Sequence, residues 1–166
     1  FDLFKQRLGI GECVERTWES PFNYWEQGCF YLPQMPPPAN NTAVHTHNVI
    51  EKVWPLINAA GGRTFVLCTS LAAVRAAADE LQARLEANGN PYPLFVQGDG
   101  PKMRLIEEFR AHGNAVLVGS MSFWEGVDVK GEALSLVVID KIPFAPPNDP
   151  VMMARSRAVE ASGRRP

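Results

Sequence analysis

The sequence predicts an α/β fold, a mainly parallel sheet sandwiched between layers of helices. Two observations carry this. Short runs of Val, Leu, Ile and Phe alternate along the chain with segments whose apolar residues recur at helical spacing. The runs are also largely continuous rather than alternating apolar and polar, as befits strands covered on both faces. Strand–helix–strand order then implies crossover connections, and these join parallel strands.

The elements follow in order. From Thr42 to about Ala60, apolar residues stand at Val44, Val49, Ile50, Val53, Trp54 and Ile57, so a helix is expected there. Gly61-Gly62 ends it, and Pro55 inside it is expected to weaken or kink it. Arg63–Cys68 reads as a buried strand. Ser70 is placed to cap a helix from Leu71 to about Ala87, which stops at Asn88-Gly89. Leu94-Phe95-Val96 is a second strand. Pro101 opens a helix through Ala111, with Gly113 after it. Ala115–Val118 is a third strand and Leu134–Ile139 a fourth. Asp149 before Pro150 caps a last helix to about Ala161. Tyr31-Leu32 offers a further short strand ahead of these.

Prolines fall in two clusters, Pro33/Pro36/Pro37/Pro38 and Pro143/Pro146/Pro147/Pro150. Consecutive prolines favour extended geometry and exclude helix interiors and central strands. The first cluster closes a leading segment over residues 1–40, and the α/β domain is expected over residues 41–166. The chain opens on Phe-Asp-Leu-Phe without Met and closes on Ser-Gly-Arg-Arg-Pro, so both ends read as cut from something longer.

The chain has 166 residues, 46% hydrophobic and 20% charged, which suits one domain with a buried core. A formal net charge of −2 excludes a wholly basic nucleic-acid coat protein, though not a local basic groove. The basic excess lies at the end, in Arg155, Arg157, Arg164 and Arg165. The three cysteines form no Cys-x-x-Cys pair, which argues against a zinc ribbon, and Cys68 in its apolar run reads as a small core residue. A reducing cytoplasm is the simplest compartment, and no apolar run approaches a membrane span. His45 and His47 have no carboxylate beside them at zinc-ligand spacing, so a solvated or hydrogen-bonded role is expected.

In a parallel α/β sheet, ligands bind beyond the carboxyl ends of the strands. Gly119–Gly131 follows the third strand there, with three glycines, two serines, two aromatics and two carboxylates. Its amides and hydroxyls could hold phosphate oxygens, Phe123 or Trp124 could stack on a base, and Asp128 could accept from a ribose hydroxyl. The plainer alternative is a strand-end turn with buried aromatics. Thr69-Ser70 follows the first strand and could present hydroxyls and helix-start amides to a phosphate, or simply cap its helix. Gln97-Gly98-Asp99 reads as a polar turn. The chain has no Gly-x-x-x-x-Gly-Lys-[Ser/Thr] loop and no acidic box for magnesium, so it lacks the parts of a self-sufficient nucleotide hydrolase.

Ser122-Phe123-Trp124-Glu125-Gly126-Val127-Asp128-Val129-Lys130-Gly131 resembles motif V of the DinG/YoaA branch of XPD-like superfamily 2 helicases. Ile139–Pro150 resembles the segment that follows it in that branch, and Gly62–Ser70 the motif IV strand and turn. Ser20-Pro21-Phe22-Asn23-Tyr24 and Leu32-Pro33 are similar to the approach to the second motor domain. The resemblance covers nearly the whole chain.

It implies a RecA-like second motor domain, truncated before motif VI, of an ATP-dependent 5′–3′ DNA helicase serving DNA repair. Its implied partners are single-stranded DNA and the missing first motor domain, with no membrane. ATP and Mg2+ would be shared with that first domain, and any iron–sulfur cluster of the parent would lie outside this chain. By the resemblance, Thr69, Ser70, Ser122, Phe123 and Trp124 lie at or near the DNA track. Glu125, Gly126 and Asp128 face the ATP cleft, with Asp128 near the ribose. Ser162-Gly163-Arg164-Arg165 does not match the arginine-finger motif, so no finger is assigned and the isolated chain is expected to be inactive. The alternative from another class is a non-catalytic Rossmann-like interaction module that docks partners through its proline clusters.

Overall fold

The computed structural model describes residues 1–36, 41–124, 127, 129, 131–143, 149–161 and 163. It divides the chain into two units, Phe1–Pro33 and Gln34–Pro166. The first holds helix α1 (Asp2–Leu8) and the single turn α2 (Tyr24–Gln27), neither of which the apolar pattern announces. Tyr31-Leu32 forms no strand and both residues are exposed, a correction to the expected short strand.

The second unit carries the α/β fold. Its elements run α3 (Thr42–Ala59), β1 (Thr64–Leu67), α4 (Leu71–Ala87), β2 (Leu94–Val96), α5 (Lys102–His112), β3 (Val116–Gly119), β4 (Leu136–Ile139) and α6 (Pro150–Ala161). Short 3₁₀ turns at Met121–Phe123 and Gly131–Ala133 stand between β3 and β4. Among the described residues the sheet has four strands in the order β2-β3-β1-β4, all parallel. The register sets Phe65 beside Leu117 and Val137, and Leu67 beside Gly119 and Ile139.

Side-chain alternation explains the three layers. Successive strand residues point to opposite faces. Val66 of β1 and Cys68 just after it join Val116, Val118 and Val138 under α3 and α4. Phe65 and Leu67 turn the other way and join Leu117 under α5. Strands β1 and β3 are therefore buried at every position, which is why their sequences are continuous apolar runs. Helix α3 presents His45, Val49, Ile50, Val53 and Ile57 to the sheet, and Pro55 lies inside it. Helix α4 presents Ala73, Val74, Ala77, Leu81 and Leu85, and its small residues let α3 pack beside it.

The boundaries are chemical. Asn41 accepts a hydrogen bond from the Ala43 amide at 2.9 Å and Ser70 from the Ala73 amide at 3.2 Å, so each caps its helix. Asp149 accepts from the Met152 amide at 2.8 Å and starts α6. Between α3 and β1 the chain reverses through Gly61, Gly62 and Arg63, all at positive φ. Gly62 sits against the Asn114 carbonyl, where an added Cβ would come within 2.3 Å of its oxygen.

Candidate functional site

The carboxyl ends of all four strands open on one edge of the sheet. The turn after β1 carries Thr69 and Ser70. It is joined to the end of β3 by the Cys68 amide, which donates to the Gly119 carbonyl at 2.8 Å. Thr69 is half-buried and Ser70 exposed. Ser70 spends its oxygen on capping, yet an N-cap leaves neighbouring first-turn amides of α4 without intrahelical partners. The capping and ligand readings of this turn are thus compatible.

The loop after β3 is built on its aromatic. Phe123 is buried in the core under α5, with its ring against Gly119. A Cβ on Gly119 would stand 2.7 Å from the Phe123 ring, so only glycine lets the ring sit there. The Phe123 amide donates to the Ser120 carbonyl at 2.8 Å and closes the 3₁₀ turn. Lys102 lies 5.5 Å from the ring centroid and donates to the Ser122 carbonyl. Phe123 therefore supports the loop from beneath and does not present its ring at the surface. Ser122 is exposed, while Trp124 is half-buried against the same core, its indole N–H buried without a hydrogen-bond partner among the described residues. Val127 and Val129 also pack against that core. Glu125, Gly126 and Asp128, the expected nucleotide residues, lie outside the described residues. Gly119→Ala should push Phe123 off its seat and lower stability by about 1–3 kcal/mol, checked by thermal melting of the purified chain. An unchanged melting curve would show that the ring is not held against this glycine.

The turn after β2 ties into the same edge. Gln97 accepts from the Ser120 amide at 2.6 Å through its side-chain oxygen and fixes where the β3 loop begins. A groove of about 560 Å³ runs beside it, lined by Leu71, Val74 and Arg75 of α4 and by Gln97, Gly98 and Asp99. The polar turn expected here is thus also a brace for the neighbouring loop.

Beyond β4 lies a feature that the sequence reading passed over. The Asp140 side chain is only 4% exposed. Burial pushes its carboxyl above the ordinary carboxylate range, while Lys141, His45 and the facing amides of Lys141 and Thr69 oppose that shift. Those amides do not close to hydrogen-bond geometry, and neither carboxylate oxygen has a partner among the described residues. The Lys141 ammonium is 3.9 Å away. His45 is buried and hydrogen-bonds through Nε2 to the Asp140 carbonyl at 3.3 Å, while the exposed His47 meets Glu80 at 2.9 Å. Cys68 next to Asp140 is a buried thiol pushed up to about 12, by burial first and then by the carboxylate. The one sequence signal was an acid directly after an apolar strand.

Among the described residues no group of three or more His, Cys, Asp or Glu side chains is arranged to hold a metal ion. No helix among them is long and apolar enough to cross a membrane.

Together, the four parallel strands and the helices on both faces define a RecA-like α/β lobe, and the sequence carries no phosphate loop. A family model described as the helicase C-terminal domain matches residues 53–166, and the chain belongs to that family, in its DinG/YoaA branch. The chain is 40% identical to "ATP-dependent DNA helicase YoaA" of Haemophilus influenzae over 167 residues, covering 100% of this chain and 25% of that protein. It is 41% identical to "ATP-dependent helicase DinG" of Mycobacterium tuberculosis over 144 residues, covering 87% of this chain and 21% of that protein. It is 29% identical to "3'-5' exonuclease DinG" of Bacillus subtilis, covering 100% of this chain and 18% of that protein. The chain thus spans about a quarter or less of the length of these curated relatives.

Proposed function

We propose that the chain is the second motor lobe of an ATP-dependent DNA helicase, working 5′ to 3′ on single strands in DNA repair in the cytoplasm. The observation that supports this best is the convergence of two hydroxyl-bearing turns, Thr69-Ser70 and Ser120–Trp124, at one edge of a parallel sheet. The relative from Haemophilus influenzae, named as a DNA helicase, supplies the substrate class.

In this reading the strand's phosphates meet Thr69, Ser70 and the first amides of α4, with Ser122 further along. Trp124 offers the face for a base, and Phe123 holds the loop that carries it. Glu125, Gly126 and Asp128 form one wall of the ATP cleft, Asp128 toward the ribose. ATP and Mg2+ are completed by a first motor lobe of the parent protein. Closure of the two lobes around ATP then moves them along the strand.

A fluorescence anisotropy titration with a short labelled oligothymidylate tests the reading. At low salt the chain should bind with modest, micromolar-range affinity that falls steeply as salt rises. Trp124→Ala should weaken binding by roughly 5-fold or more, the worth of one stacked base. No binding at high micromolar protein would refute the single-strand contact.

A further inference from the structure

We infer that the groove beside Gln97 is a base pocket of the single-strand site: it takes one nucleobase of the strand and favours a base that carries an exocyclic amine. The inference rests on the single-strand reading above and deepens it.

Position is the first ground. Leu71 lines the groove from α4 and is the residue directly after Ser70. Gln97 lines it from the turn after β2, and the same side chain accepts from the Ser120 amide at 2.6 Å. The groove therefore borders both hydroxyl-bearing turns, and a strand resting on the two lies beside it. Its volume of about 560 Å³ falls in the usual range for ligand sites, about 300–1,000 Å³. Helical spacing builds one apolar wall, because Leu71, Val74 and Ala78 recur three and four residues apart on one face of α4. Val96, at the end of β2, adds apolar surface.

Charge decides what fits. Asp79 comes from α4 and Asp99 from the turn after β2, and both are exposed. Arg75 is the one cation lining the groove among the described residues. None of these three side chains has a hydrogen bond or ion pair among the described residues. Two carboxylates against one guanidinium disfavour a phosphate inside the groove, whereas a neutral base can lie against the apolar wall. An ionised carboxylate only accepts hydrogen bonds, so the matching base edge is one that donates. Cytosine carries the N4 amine, where thymine has the O4 acceptor beside a methyl group. The phosphates of the same strand stay outside, on Ser70 and the first amides of α4.

The test compares labelled oligocytidylate and oligothymidylate of equal length on the full 166-residue chain, by fluorescence anisotropy at neutral pH and fixed low salt. Both are pyrimidine strands with the same number of phosphates, so backbone contacts do not separate them. The wild-type chain should bind the oligocytidylate roughly 5-fold more tightly. Asp79→Ala combined with Asp99→Ala should bring the two affinities together. Removing negative charge strengthens the binding of either strand, so the ratio between them is the readout. Both acids are exposed, and the double variant should melt close to the wild type. Equal wild-type affinity for the two strands, or a preference for thymidylate, overturns the inference without any variant and leaves the single-strand reading standing. A cytidylate preference that survives in the folded double variant also overturns it, because the carboxylates would not be what reads the amine. If the wild-type chain binds neither strand, both fall together.

Discussion

Gly62→Ala is expected to destabilise the α/β unit by about 2–4 kcal/mol. The residue has φ +82, where a side chain is strained at a cost of about 1 kcal/mol. Overpacking adds about 1–3 kcal/mol, because the new Cβ would meet the Asn114 carbonyl oxygen at 2.3 Å and the Tyr92 ring at 3.0 Å. Backbone at the start of β3 cannot yield easily, since the Thr64 amide is bound to the Ala115 carbonyl at 3.1 Å. A melting temperature lowered by about 10 °C is the expected reading. Gly89→Ala is the control: its φ is +76, but nothing lies within 4 Å of the added Cβ. It should cost only the strain, about 1 kcal/mol. If both variants melt alike, the close approach to Asn114 is not what makes Gly62 necessary.

ATP turnover by the isolated 166 residues is expected to stay at background, with or without single-stranded DNA. Phosphoryl transfer depends on groups that cradle and neutralise the phosphates, and an arginine finger alone contributes roughly 10³-fold or more. This sequence has no phosphate-loop lysine, and no arginine in it stands in a finger motif. The residues proposed for the cleft, Glu125, Gly126 and Asp128, can line a nucleotide without being able to hydrolyse it. Phosphate release measured at saturating ATP checks this, with a full-length helicase as positive control. DNA-stimulated turnover by the isolated chain would mean that the catalytic groups are present here in a form the motifs do not reveal.

Much of the fold could be read from residue order. The continuous runs at Phe65–Cys68 and Ala115–Val118 are buried on both faces because central strands of a parallel sheet have helices above and below. Ser70, Asp149 and Asn88-Gly89 mark helix ends by local hydrogen bonding or local backbone geometry, which neighbouring residues alone decide. The family, too, was legible, because a ten-residue stretch from Ser122 to Gly131 is specific by itself.

Other features depended on contacts between residues distant in sequence. No local pattern pairs Asp140 with His45, 95 residues away, or Gln97 with the Ser120 amide. Periodicity could not tell that Phe123 sits in the core while Ser122 stays outside, because a 3₁₀ turn packed on Gly119 decides it. The layers and the family were legible in residue order, since they follow from burial patterns and short-range chemistry, whereas β1 and β4 proved shorter than their apolar runs, Thr64–Leu67 and Leu136–Ile139. Which strand ends face one another, and which acid is buried among them, is a matter of long-range packing. Strand order and register are set by long-range pairing, and that pairing brings Thr69, Gln97, Ser120 and Asp140 to one edge.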